Sequence, residues 1–231
     1  NLKLKKDFKF ADQDEESVIS CDSKSDERFA LLTHQKIVKY YLNIFTPYRG
    51  LLLYHGLGAG KTCASIAIAE GLKTHRKILI MTPASLRMNY IEELKKCGDP
   101  LYKRNQHWEF ISTVTKSEYL PLLKSEIGLS DDYIKKNKGG WLVNPKKPSN
   151  YDTLSTQEKS SLDRQINDMI GTKYDFINYN GVRNLQYDQY REQSPDKNPF
   201  TNRVVIVDEA HNLVSKIVNK LKMSAAKRKT Q

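Results

Sequence analysis

Cysteine is scarce in this 231-residue chain: Cys21, Cys63 and Cys97 are odd in number and share no metal-ligand spacing. Such a set reads as reduced, separate thiols in a cytosol-like compartment. Long hydrophobic runs are missing too. No apolar stretch approaches the ~18–20 residues of a membrane span, so no membrane partner is expected. Lys3, Lys5, Lys6 and Asp7 have no apolar segment behind them, which excludes a signal peptide. No internal repeat is present. Acid is absent from two stretches. One holds Lys135, Lys136, Lys138, Lys146 and Lys147; the other follows Glu209 and carries Lys216, Lys220, Lys222, Lys227, Arg228 and Lys229. With a net charge of +11, these runs favour a polyanionic partner, although each also fits a solvated loop or tail.

What is present is an ordinary soluble composition, 39% hydrophobic and 28% charged, long enough for one full domain with extensions. Residues 1–28 mix Asp12, Asp14, Glu15 and Glu16 with Ser and Lys, lack apolar periodicity, and read as a mobile arm. Thr33 can cap a helix bearing Ile37, Val38, Tyr41 and Leu42 on one side. Leu51–Tyr54 is a fully apolar run, as expected for a strand buried on both faces of a parallel sheet. A helix from about Lys61 to Glu70 stopping at Gly71, a strand Ile78–Met81 and a helix from about Ser85 to Lys96 ending at Gly98 follow. "HWEFIS" (107–112), "YDFINY" (174–179) and "RVVIVDEAH" (203–211) read as further strands. Alternating strands and helices define an α/β domain with a mostly parallel sheet. A Lys-, Ser-, Asn- and Pro-rich insertion at about 113–172 interrupts it. There "KGGWLVNPKKPSNY" resembles a hairpin or irregular loop, and Ser155 to Glu158 form a capping box. The helix behind that box presents Leu162, Ile166, Met169 and Ile170 and ends at Gly171. Trp108 is assigned to the core, and so is Trp141 in preference to stacking on a base.

"LLLYHGLGAGKTCASIAIAEG" (51–71) carries the chemistry. A phosphate loop works because consecutive backbone N–H groups converge at a helix N-terminus, where the dipole adds about half a positive charge. Gly56, Leu57, Gly58, Ala59, Gly60, Lys61, Thr62 and Cys63 form that loop, with Lys61 reaching the β/γ-phosphates and Thr62 offering a Mg²⁺ ligand. His55 stands where the G-x-x-x-x-G-K-[ST] pattern has its first glycine. That corner lies furthest from the lysine, so His55 reads as a tolerated loop residue and not as a base.

The second element, "VVIVDEAH" (204–211), drives Asp208 and Glu209 to the carboxyl end of a strand, where α/β sheets place their ligands. Asp208 suits a hard cation, and Glu209 can orient and deprotonate a water for in-line attack on a γ-phosphate.

In order, "GLGAGKT", "MTPASLRMNY" and "DEAH" resemble the first RecA-like domain of superfamily-two helicases. "TPYRGLLLYHGLGAGKT", "YDFINYNG" and "VVIVDEAHNLVSKIVNK" look closest to helicases of nucleocytoplasmic large DNA viruses, which are related to poxvirus transcription NTPases. The resemblance implies a RecA-like P-loop NTPase fold over 29–222, ATP with Mg²⁺, and a nucleic-acid partner, DNA rather than RNA. It implies Gln35 as adenine reader, Thr82, Pro83, Arg87, Tyr179 and Asn180 as nucleic-acid contacts, and His211 as a coupling residue. It also implies a role in viral transcription alongside a viral RNA polymerase, in the cytoplasmic viral factory or the virion. The alternative is a nucleotide-binding interaction module without turnover.

Two departures qualify the resemblance. The gap between Lys61 and Asp208 is long, which the insertion explains. The Ser/Gly-Thr motif and the second RecA-like domain, with its arginine finger, do not follow. The basic tail 223–231 is therefore expected to continue into a second domain, and the fragment alone to hydrolyse ATP weakly or not at all.

Overall fold

The apolar run Ile78-Leu79-Ile80 is too hydrophobic for any place but a strand covered on both faces, and it forms the centre of the molecule. The computed structural model describes residues 31–56, 58–179, 188–189, 191–192 and 196–229. In it, β1 (Lys77–Thr82) lies between β4 (Tyr174–Asn178) and β5 (Arg203–Val207). Both pairings are parallel, with Ile78 opposite Tyr174 and Val204, and Met81 opposite Ile177 and Val207. This is the expected α/β arrangement with a parallel sheet, as in a RecA-like domain. The N-terminal arm lies outside the described residues.

Helix α1 (Thr33–Tyr41) packs on α2 (Lys61–Leu72), which packs in turn on α3 (Arg87–Cys97). Helix α2 buries Ala64, Ile66, Ala67, Ile68 and Ala69, and a helix apolar on most sides belongs inside. Thr33 is the first residue of α1 and not its cap; the Leu32 N–H before it is taken by the Gln35 side chain at 2.9 Å. Helix α2 runs through Gly71, and α6 (Thr156–Lys173) runs through Gly171, so neither glycine ends its helix.

Two of the expected strands of the parallel sheet fail. Leu51–Tyr54 forms no strand, and Leu52 and Tyr54 are 79% and 93% exposed. A strand exists by pairing, and an apolar run forms one only where an edge receives it. Among the described residues β5 pairs with β1 alone, and a groove separates its other edge from this segment. The second failure concerns 107–112. This segment becomes β2 (Trp108–Ser112), which leaves the parallel sheet and pairs antiparallel with β3 (Gly139–Val143), Phe110 opposite Trp141.

Around β2 and β3 gather α4 (Leu120–Ser125), α5 (Asp131–Asn137) and α6. The Ser155 capping box is present: Ser155 Oγ accepts from Glu158 N–H at 3.3 Å, and Glu158 Oε2 accepts from Ser155 N–H at 2.8 Å. Leu162, Ile166, Met169 and Ile170 are buried as expected. Trp108 is 1% exposed, and Trp141 is buried with its indole N–H on Ser161 Oγ, so neither is placed to stack on a base. These side chains join Ile66, Ile78, Ile80, Tyr90 and Leu94 in one cluster, so both sheets share a core. Helix α7 (Ala210–Lys229) follows β5.

Candidate nucleotide site

The carboxyl end of β5 opens onto a groove of about 1540 Å³. Lys61 and Thr62 line it from one side and Asp208, Glu209 and His211 from the other, so the two motifs read in sequence face the same space.

On the loop side, Gly60 takes the N-cap position of α2 with φ 69°, a conformation costly for any residue with a Cβ. A Cβ there would also lie 2.4 Å from Gln35 Nε2. Lys61 folds back on its own loop, its Nζ donating to the carbonyls of His55 (3.3 Å) and Gly56 (3.2 Å). Two residues of α1 hold the loop from outside. Gln35 Nε2 donates to Gly60 O at 3.2 Å, and His34 Nε2 lies 2.9 Å from Ala59 O. His34 also meets His55 edge to face, with centroids 5.1 Å apart.

Gln35 is buried, and both ends of its carboxamide are used within the protein. Each end of the carboxamide has capacity for one further hydrogen bond, a second lone pair on Oε1 and a second N–H on Nε2. His34 was not singled out in the sequence; its adjacency to Gln35 is the sole signal that could have found it. Leu57 and Asn180 lie outside the described residues.

On the acid side, the half-buried Asp208 continues the β5 ladder, its N–H donating to Met81 O at 2.9 Å. Burial and the neighbouring Glu209 charge raise its pKa, while the Lys61 ammonium pulls it back down. Glu209 is exposed, has φ 48°, and lies 3.3 Å from His211 Nδ1. A non-glycine residue at positive φ is uncommon and marks a backbone held by its surroundings. Here the holder is Tyr179, whose hydroxyl donates to the carbonyls of Asp208 and Glu209, each at 3.1 Å. Tyr179 is buried, and in this placement it positions the acidic turn.

Thr82 and Pro83 are also buried, with the Thr82 hydroxyl turned to Pro83 O at 3.4 Å. The exposed groups at this corner are Ala84, Ser85 and Arg87, whose guanidinium lies 5.3 Å from the Phe176 ring centroid. Cys63 is buried and disulfide-bonded to Cys97 of α3, which corrects the expectation of separate thiols.

A phosphate loop and a strand-end acidic pair sharing one groove on a parallel sheet define a P-loop nucleotide-binding domain of RecA-like type. Comparison narrows the class. Residues 28–230 match the family described as "Type III restriction enzyme, res subunit". The chain belongs to this family, as the N-terminal RecA-like domain of a superfamily-two helicase.

Among similar proteins, a "Putative ATP-dependent RNA helicase" of Acanthamoeba polyphaga mimivirus is 32% identical over 182 residues, covering 78% of this chain and 24% of that protein. A second mimivirus protein of the same description is 28% identical over 204 residues, covering 83% of this chain and 16% of its own length. A "Putative helicase" of Frog virus 3 is 43% identical over 70 residues, 28% of this chain and 7% of that protein. The chain thus spans about a quarter or less of these relatives. No solved structure matches it.

Proposed function

We propose that this chain is the ATP-binding motor half of a nucleic-acid helicase or translocase that hydrolyses nucleoside triphosphate to diphosphate and phosphate in viral transcription. One observation carries the reading: Lys61 and Thr62 face Asp208 and Glu209 across a single groove, near enough for the Lys61 charge to act on the Asp208 carboxyl.

The loop amides around Gly58 and Gly60 would receive the phosphates at the start of α2. Lys61 would exchange its two loop carbonyls for phosphate oxygens, a stronger pairing because both partners are charged. The donor set suits Mg²⁺: a hydroxyl at Thr62 and, at Asp208, a carboxylate whose charge is disfavoured by burial and by Glu209. Mg²⁺ held there would neutralise charge on the triphosphate. Glu209 is exposed to the groove and would orient and deprotonate the attacking water, and its pairing with His211 links that base to the first turn of α7. Gln35 and His34 hold the loop in shape, and Tyr179 does the same for the acidic turn.

A nucleic acid would meet the corner where β1 ends, through Ser85, Arg87 and the first turn of the following helix. The names of the mimivirus relatives support RNA, and the resemblance to large-DNA-virus transcription helicases supports DNA. A second RecA-like domain of the full-length protein would supply the arginine finger, worth ~10³–10⁵ in rate.

The test uses the full-length protein with saturating single- or double-stranded nucleic acid. Stimulated ATPase is expected, and Glu209→Gln is expected to lower turnover by ~10²–10⁴ while ATP still binds. Turnover left intact in Glu209→Gln would overturn the assignment of the base. Nucleotide binding with no turnover in the wild type would instead favour an interaction module.

A further inference from the structure

Cys63, Glu93 and Cys97 form a cluster that the nucleotide site does not use. Cys63 is the third residue of α2, and Cys97 is the last of α3. Each is 8% exposed, and their Cα atoms are 5.5 Å apart. Glu93 lies one turn before Cys97. Its Oε2 stands 3.5 Å from Cys63 Sγ and 3.7 Å from Cys97 Sγ, while Oε1 takes the Lys96 ammonium at 2.8 Å. A disulfide has no proton or charge to offer a carboxylate, so among the described residues the sulfur bond does not account for the placement of Oε2. A cation between the three groups accounts for it.

We infer that the reduced protein binds one thiophilic divalent cation, zinc being the natural fit, through Cys63 Sγ, Cys97 Sγ and Glu93 Oε2. The spacing supports this. Tetrahedral zinc with Zn–S of about 2.3 Å and Zn–O of about 2.0 Å has sulfur-to-oxygen edges of roughly 3.5 Å and sulfur-to-sulfur edges of about 3.8 Å. Both sulfur-to-oxygen distances already sit at that value. The ligand atoms all lie within 4.8 Å of one another, so only the sulfurs must part, with the helices left in place. Two thiolates and a carboxylate around a dication leave one excess negative charge. Lys96 on the outer carboxylate oxygen offsets it and orients the ligand. The fourth position falls to water on the partly exposed Glu93 side.

The chemistry balances in two steps. A thiol reductant gives two electrons and two protons to the Cys63–Cys97 bond and leaves as its own disulfide. Each cysteine then loses its proton to solvent as its sulfur–metal bond forms, and the metal's oxidation state is unchanged. The bound ion would pin the first turn of α2, two residues after Lys61, to the last turn of α3.

The experiment titrates Cd²⁺ into full-length protein that has been reduced and freed of metal, following the ultraviolet thiolate-to-cadmium charge-transfer band, with zinc as competitor. One equivalent is expected to bind, and zinc is expected to displace it. Glu93→Gln should keep the band and weaken affinity by about tenfold or more. Cys97→Ser should abolish the one-equivalent step, Cys21→Ser should leave it unchanged, and oxidised protein should show no band. The inference is overturned if reduced wild-type protein shows no saturable band, or if Glu93→Gln binds as tightly as wild type. Because Glu93 is partly exposed, that variant decides the matter even if Cys97→Ser fails to fold. None of these readouts depends on ATP turnover.

Discussion

At the scale of single residues, Gln35 separates two kinds of nucleotide site. A glutamine that reads adenine turns a donor and an acceptor to N7 and N6 of the base, whereas one that supports the loop acts on every nucleotide alike. Here the acceptor takes the Leu32 N–H and the donor supports Gly60 O, so the side chain acts on the loop. Gln35→Ala is therefore expected to weaken every nucleoside triphosphate alike, by about tenfold if roughly 1.4 kcal/mol of loop support is lost. Parallel titrations of ATP and GTP with the full-length protein decide it. Should ATP alone lose affinity, Gln35 reads the base. Lys61, Thr62, Asp208 and Glu209 were legible in the sequence because their spacing from glycines and an apolar strand is fixed by phosphate geometry. The roles of His34 and Tyr179 were not, because each acts through a hydrogen bond to backbone far along the chain, and backbone contacts leave no mark on residue type.

At the scale of elements, pairing partners decide what the pattern leaves open. Leu51–Tyr54 and Trp108–Ser112 both read as strands of the parallel sheet, yet among the described residues the first pairs with no strand and the second turns to β3. Apolar content announces that a segment seeks cover; it does not say whose edge provides it. The cover given to β3 is itself unusual. Gln165 of α6, fully buried, accepts from the Trp141 N–H at 2.6 Å and donates to the Trp141 carbonyl at 2.8 Å. One side chain thereby replaces a neighbouring strand. Gln165→Leu keeps the volume but leaves two buried backbone groups unpaired, and an unpaired buried group costs about 1–3 kcal/mol. A loss of about 3 kcal/mol in urea unfolding is expected, with nucleotide affinity little changed, because α6 does not line the groove. A loss under about 1 kcal/mol would mean that water or a rearranged β3 satisfies Trp141.

At the scale of the whole molecule, the question is whether the antiparallel pair is a separate unit. Chains beyond ~100–150 residues commonly unfold through intermediates, and an inserted segment is a natural place for one. The layout argues the other way. Helix α6 packs on β3 at one end and leads directly into β4 at the other, and the Pro100–Tyr102 turn packs on the same helix. Leu123, Leu129, Trp141 and Leu162 continue without a break into Ile66, Ile78, Tyr90 and Leu94. Gly140 lies so close to Leu123 and Leu129 that a Cβ would fall 3.0 and 2.8 Å from them, so β3 cannot lift away without exposing that surface. Both tryptophans, Trp108 and Trp141, belong to the antiparallel pair, so their fluorescence reports that region alone, while far-ultraviolet circular dichroism reports the helices throughout. If the core is continuous, the two signals must trace one urea transition with a common midpoint and slope. A fluorescence transition completed before the helical signal falls would show that the insertion melts on its own, and the shared core would then be an inference from proximity with no energetic content.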